Sequence, residues 1–280
     1  MRQSTTLWLI AFLLTCATAY YQRTTGPTYP LSGKVVVGGR EFFYKLDRSH
    51  GGETNAVVKI ETNDSSIHGA VEWKKYKTND DWSKTPMQYS AGALSAELPH
   101  QPPAGKLLYR IVLFSDDRSV VVPEEAAVVI RFKGNVPLSI LIPHIIAMFG
   151  AMLLSARTGL EYFRKEQKFK KLILWTIGFL FAGGLVLGPI VQLFAFDALW
   201  TGWPLGTDLT DNKTAVALLA WTVTGIALRK SGRSKAWVLG AAIITLVVYL
   251  IPHSLFGSEL DYNAKEAEKP AIEQYRPGRH

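Results

Sequence analysis

Two histidines end the same four-residue string, Leu141-Ile142-Pro143-His144 and Leu250-Ile251-Pro252-His253. Each string lies in a long apolar run. An ionisable group there costs free energy unless it is paired, which makes both residues candidates for function. Neutral imidazoles facing each other across a helix bundle can hold one haem iron through their ring nitrogens. The competing reading is structural: each ring hydrogen-bonds a carbonyl that its neighbouring proline has freed.

The stretch between these strings is dense in aromatics, glycines and acids. It carries Gly183-Gly184, Gly188-Pro189 and Gln192, then Trp200-Thr201-Gly202-Trp203-Pro204, then Asp208, Thr210, Asp211 and Lys213, with Trp221 further on. A tryptophan shelf with small residues beside it could receive a flat macrocycle, or the rings could form an interfacial aromatic belt. Asp208, Thr210 and Asp211 could cap the helix that follows. They could instead join Gln192, Lys213 and Glu259 in a polar pocket, with His253 completing an acid-base or cation site. Gly183-Gly184 and Gly188-Pro189 are expected to allow close helix packing and a kink. Glu161 is expected as a solvated partner of Arg164 or Lys165.

Several chemistries are excluded. The 280-residue chain has one cysteine, Cys16, so it can form no internal disulfide, no thiolate metal cage and no CxxCH haem attachment. No Ser-His-Asp order, phosphate loop or zinc spacing is present. The net charge of +8 could suggest nucleic acid. Its distribution argues against that partner, because Arg164, Lys165, Lys168, Lys170 and Lys171 cluster between two apolar runs, and Arg229, Lys230, Arg233 and Lys235 between two others.

The elements that must position these residues follow from hydropathy. Residues 1–21 read as a signal peptide or an uncleaved anchor, with Arg2 ahead of the apolar stretch 7–19. Residues 22–33, with Pro27 and Pro30, read as an extended connector. Across 34–133, short β-type runs are expected at 34–37, 41–46, 56–61, 70–76, 87–90, 93–97, 107–114, 119–122 and 126–132. They are separated by turn residues such as Gly38-Gly39, Asn63-Asp64-Ser65 and Asp116-Asp117. This pattern predicts an antiparallel β-sandwich with Trp73 and Trp82 as core or cross-strand aromatics. Residues 136–256 hold four apolar segments, at 138–155, 172–194, 214–228 and 236–256, a four-helix transmembrane bundle at about 20 residues per crossing. Residues 257–280 read as a polar tail.

Lysine and arginine mark cytoplasmic loops. Both basic clusters then face the cytosol, and the β-domain, segment 197–212 and the tail face outward. The fold class is therefore a membrane protein with an anchor helix, an external β-sandwich and a bundle in the bilayer of a bacterial inner membrane, its β-domain and C-terminus periplasmic.

Two resemblances bear on this. Pro102-Pro103-Ala104-Gly105-Lys106 running into 107–112 resembles the approach to a late strand of fibronectin type III and other immunoglobulin-like modules, across residues 31–133. Trp200, Trp203, Asp208, Asp211 and Trp221 resemble the tryptophan-rich haem-handling segment of membrane proteins of cytochrome c biogenesis, across residues 196–221. That second resemblance implies Trp200, Trp203 and Trp221 as a platform for haem b and His144 and His253 as its iron ligands. The family's Trp-Asp-Pro core is absent. The leading expectation is a non-catalytic scaffold or assembly protein of a larger membrane complex, with a membrane or periplasmic protein partner. A haem-binding redox or haem-handling protein, and a transporter or membrane enzyme with an outward acidic site, are the alternatives.

Overall fold

The computed structural model describes residues 2–115, 118–165, 168–231, 235–253, 255 and 257–264. The expected turn at Asp116-Asp117, Arg233 of the second basic cluster and most of the expected tail lie outside them. The chain divides into two compact units, Met1–Pro27 with Asn135–Ser258, and Thr28–Gly134 with Glu259–His280.

The second unit is a β-sheet region. Its strands are β1 (Leu31–Val37), β2 (Arg40–Leu46), β3 (Ser49–Gly51), β4 (Ala56–Glu61), β5 (His68–Lys75), β6 (Ser83–Pro86), β7 (Gln88–Ser90), β8 (Ala93–Leu98), β9 (Lys106–Ser115), β10 (Arg118–Val122) and β11 (Val128–Lys133). β1 and β2 form a hairpin whose turn glycines, Gly38 and Gly39, have φ of 58° and 76°. Such left-handed pairs match the twist of the flanking strands. A larger sheet runs β3-β11-β9-β5-β6 with β10 also on β9, and a smaller one runs β4-β8-β7. Alternation places Ala56, Val58 and Ile60 of β4 inward and their neighbours outward. All three sheets feed one core, which includes Val35, Leu46, Ile60, Leu98, Leu107, Tyr109, Ile111, Ile130 and Phe132. One pairing departs from the antiparallel expectation: β3 runs parallel to β11. Trp73 packs on the core and donates to Thr85 across the β5–β6 pair at 3.2 Å. Trp82 instead offers its ring face to the Arg110 guanidinium at 4.6 Å.

The residues after the last helix belong to this unit too. Leu260 N donates to Ala104 O (3.1 Å), and Tyr262 Oη accepts from Lys106 N (3.0 Å). Glu259 pairs with Lys106 (2.7 Å) and Lys77 (2.9 Å). Burial favours the neutral Glu259 carboxyl, but the hydrogen bonds and charges of Lys106 and Lys77 outweigh it and hold the group below the ordinary carboxylate range. Burial pushes the Tyr262 hydroxyl up to about 12.

The first unit is helical: α1 (Arg2–Thr25), α2 (Leu138–Leu160), α3 (Phe169–Leu180), a π-helical turn (Phe181–Leu187), α4 (Gly188–Phe196), α5 (Leu209–Ser231) and α6 (Lys235–Leu250). Ser4–Thr25, Leu138–Phe163 and Phe169–Phe196 are long and apolar enough to cross a membrane. α6 is apolar but has 16 residues. α5 has 23 but opens on Thr210, Asp211, Asn212 and Lys213, which lowers its apolar character. Small residues bring the helices together: a methyl on Gly183 would meet Met148 Sδ at 2.8 Å, and one on Gly150 would meet Phe179 at 2.5 Å. Trp221 is fully buried in the helical core, donating to Thr245 Oγ1 (2.9 Å) and Ser155 Oγ (3.2 Å).

Candidate functional site

The segment joining α4 to α5 is built around Thr201. α4 ends at Asp197, whose φ of 59° is the left-handed conformation that terminates helices. Asp208 precedes α5 and its Oδ1 accepts from Thr210 N at 2.7 Å, an N-cap contact. Its other oxygen accepts from Ser258 N (2.9 Å), Ser258 Oγ (3.0 Å) and Thr201 Oγ1 (3.2 Å). Asp211, in the first turn of the helix, accepts from Thr201 N (2.8 Å) and Gly202 N (3.0 Å). Asn212 Oδ1 takes Trp203 N (2.6 Å), and Gln192 donates to Thr201 Oγ1. Gly202 has no room for a side chain, since a methyl would lie 2.6 Å from Asp211 Cβ. The two acids and the amides thus pin 200–208 into one shape. Trp203 and Leu205 project from it, each 78% exposed.

The histidines have different partners. The π turn carries Pro189 just beyond it, a residue with no N–H to continue the ladder. His144 Nδ1 donates to Gly183 O in that turn at 2.9 Å. This fixes the neutral tautomer and leaves Nε2 with its lone pair. His253 bonds no proline-freed carbonyl. Its Nδ1 lies 3.0 Å from Lys213 Nζ, which also donates to Ile251 O at 2.7 Å. An ammonium has no lone pair, so His253 Nδ1 accepts and its proton sits on Nε2. Lys213 is 5% exposed. Lys213 and His253 stand in the wall of a cavity of about 60 Å³ with Thr15, Thr18, Gln22 and Tyr249.

A second polar cluster lies at the other end of α2. Glu161 accepts from Arg157 (2.6 Å), Arg164 (2.8 Å) and Lys168 N (3.1 Å). The expectation of a solvated Glu161 is corrected here: it is fully buried and paired with Arg157 as well as Arg164. Arg157 also stacks its guanidinium on Trp8 of α1, 5.4 Å from the ring centre. The spacing of Arg157 and Glu161, one helical turn apart, is the sequence signal that could have found this pair.

Of the residues expected together, Gln192, Asp208 and Asp211 do meet, through Thr201. Lys213 leaves that group for His253. Glu259 belongs to the β-sheet unit with Lys77 and Lys106. Trp200 donates to Trp203 O (3.2 Å), whereas Trp221 is sealed between Ser155 and Thr245 and shares no surface with them. Thr201, Ser258, Gln22 and Tyr249 were not foreseen, being common polar residues without a spacing signature.

The residues present do not fit a haem. His253 Nε2 carries a proton where an iron ligand needs a lone pair. Trp221 is fully buried between Ser155 and Thr245 and is not free to form a platform. Among the described residues, no group of three or more His, Cys, Asp or Glu could hold a metal ion. No protein-family model, curated protein or solved structure matches this chain.

Proposed function

We propose that the protein is a non-catalytic membrane scaffold or assembly factor, which holds an immunoglobulin-like β-sandwich on the periplasmic side of a bacterial inner membrane and presents the 200–208 segment to a protein partner. The observation that carries this reading is the use made of the acids. Asp208 and Asp211 spend their oxygens on Thr201, Gly202, Thr210 and Ser258, so they fix a loop whose exposed features are Trp203 and Leu205. A rigid loop with projecting apolar and aromatic groups is the composition of a binding hot spot.

The arrangement in the bilayer has its own support. The chain leaves the β-sheet unit at Gly134 and rejoins it at Glu259. An even number of membrane crossings by residues 135–258 fits that return. Four crossings, by α2, by α3 through α4, by α5 and by α6, satisfy this and put both basic clusters in the cytosol. α1 is retained as an anchor in this reading. Its Ser4 accepts from buried Arg157 at 3.5 Å, and Trp8 lies under the same guanidinium, contacts that cleavage would remove.

The test is site-specific photo-cross-linking in native membranes, with a benzophenone amino acid at Leu205. A scaffold gives one discrete protein adduct that disappears when the probe is moved to lipid-facing Leu174. Adducts with lipid alone would overturn the reading, as would a Soret band in the purified protein.

A further inference from the structure

The hairpin of β1 and β2 forms a sheet of its own, joined by no ladder to either larger sheet. Its inward side chains hold it, with Val35, Val37, Phe42 and Leu46 in the shared core. β2 packs against β4. Arg40 at the start of β2 pairs with Asp64, just past the end of β4, at 2.6 Å, so the two strands lie alongside in opposite directions. Among the described residues no backbone hydrogen bond joins them. β4 spends one edge on β8 and leaves the other open. The peptide groups on that side have no ladder partner, and such an edge is a template for a further strand.

A cleft of about 720 Å³ opens there, lined by Lys34 of β1, Phe43 and Lys45 of β2, and Lys59, Ile60 and Glu61 of β4. Alternation turns Ile60 to the core and Lys59 and Glu61 outward. Three lysines and one glutamate thus set the charge of the cleft. Lys34 reaches Glu41 (2.8 Å) and Lys59 reaches Glu61 (3.0 Å), exposed pairs of the kind that contribute little. Lys45 has no ionic partner among the described residues. A second copy of the chain would bring the same positive rim to this edge, and like charges set opposite each other destabilise a sheet. The same charges favour an acidic strand. Phe43 and Val57, both exposed, add apolar surface on the outward side.

We infer that this cleft binds an extended acidic segment of a partner protein, which adds its backbone to the open edge of β4. The segment alternates, with acids reaching Lys45 and Lys59 on the outward side and small apolar side chains lying inward over Ile60. Main-chain hydrogen bonds supply the affinity, and the lysines select the partner. The cleft belongs to the β-sheet unit, so the inference is separate from the 200–208 loop and stands without it.

The test uses full-length protein in nanodiscs and fluorescein-labelled heptapeptides read by anisotropy. A peptide of alternating glutamate and valine should bind saturably, at least about tenfold tighter than one of alternating lysine and valine. The glutamate peptide N-methylated at every interior residue keeps its charge and loses its donors, and it should not bind. Lys45→Glu combined with Lys59→Glu turns two cross-strand charge pairs repulsive and should weaken the acidic peptide about tenfold. The same double variant should bind the lysine peptide more tightly, which a loss of fold would not produce. With a benzophenone at its central residue, the acidic peptide should cross-link within 31–46 or 56–61. No saturable binding up to about 1 mM would overturn the inference. So would equal binding of the acidic and basic peptides, undiminished binding of the N-methylated one, an unchanged preference in the double variant, cross-links elsewhere, or dimers of the chain cross-linked through β2 and β4.

Discussion

The helical unit buries positive charge at both ends, and the two ends treat it differently. At Glu161 two arginines converge on one carboxylate that is itself fully buried, and a backbone N–H completes it. At Lys213 a single ammonium meets a carbonyl and an imidazole beside open space. The first arrangement is an ion-pair cluster in which two guanidinium groups share one carboxylate. The second has neutral groups in direct contact and feels the carboxylate charge of Asp208 from further off. Burial costs both sites alike, and they meet that cost by different means, one by ion pairs in contact and the other by neutral acceptors.

That contrast can be broken in four ways. The largest effect should come from Glu161→Gln, which takes the carboxylate away from buried Arg157 and half-buried Arg164. A loss of about 3–5 kcal/mol is expected, read as a fall in Tm and in folded yield, because a broken buried pair leaves uncompensated charge. Asp211→Ala should come next. It removes the acceptor for the Thr201 and Gly202 amides, and leaving such groups unmade costs about 1–3 kcal/mol. Proteolysis within 200–208 should accelerate as the loop comes loose.

Lys213→Met should do far less than Glu161→Gln, changing stability by no more than about 1 kcal/mol, since an apolar side chain of similar length replaces an ammonium whose direct partners are neutral. A loss as large as that of Glu161→Gln would erase the contrast. The smallest effect belongs to the β-sheet unit. Glu259 is held below its ordinary value of 4.5, so its stabilising contribution is present above that pH and is lost as pH falls through the lower folded value. Protection of Leu260 N and Lys106 N from hydrogen exchange, taken relative to the intrinsic rate at each pH, should be high at neutral pH and fall below 4.5, and Glu259→Gln should remove that dependence.

The legible parts of the molecule were those with short-range periodicity. Strands at 41–46, 56–61 and 107–114 were readable because apolar and polar residues alternate and Gly38-Gly39 punctuates them. β3 was not, because His50-Gly51 reads as a turn and is a strand only by lying against β11. The capping expected of this segment is made by Asp208, a local chemistry, whereas Asp211 holds the loop amides of Thr201 and Gly202. Their grip on Thr201 was hidden, because it depends on the path of the intervening loop. Trp221 looked like part of an aromatic shelf, yet its partners Ser155 and Thr245 are on other helices and no spacing announces them. The shared Leu-Ile-Pro-His string proved a poor guide. His144 is set by a π turn about 40 residues away and His253 by a lysine on α5.

Orientation underlies the whole account, and cysteine accessibility tests it most directly. In a Cys16→Ser background, Leu205→Cys should react with a membrane-impermeant maleimide in intact spheroplasts, and Lys165→Cys only after permeabilisation. Labelling of Lys165→Cys from outside, with Leu205→Cys protected until the membrane is opened, would contradict it.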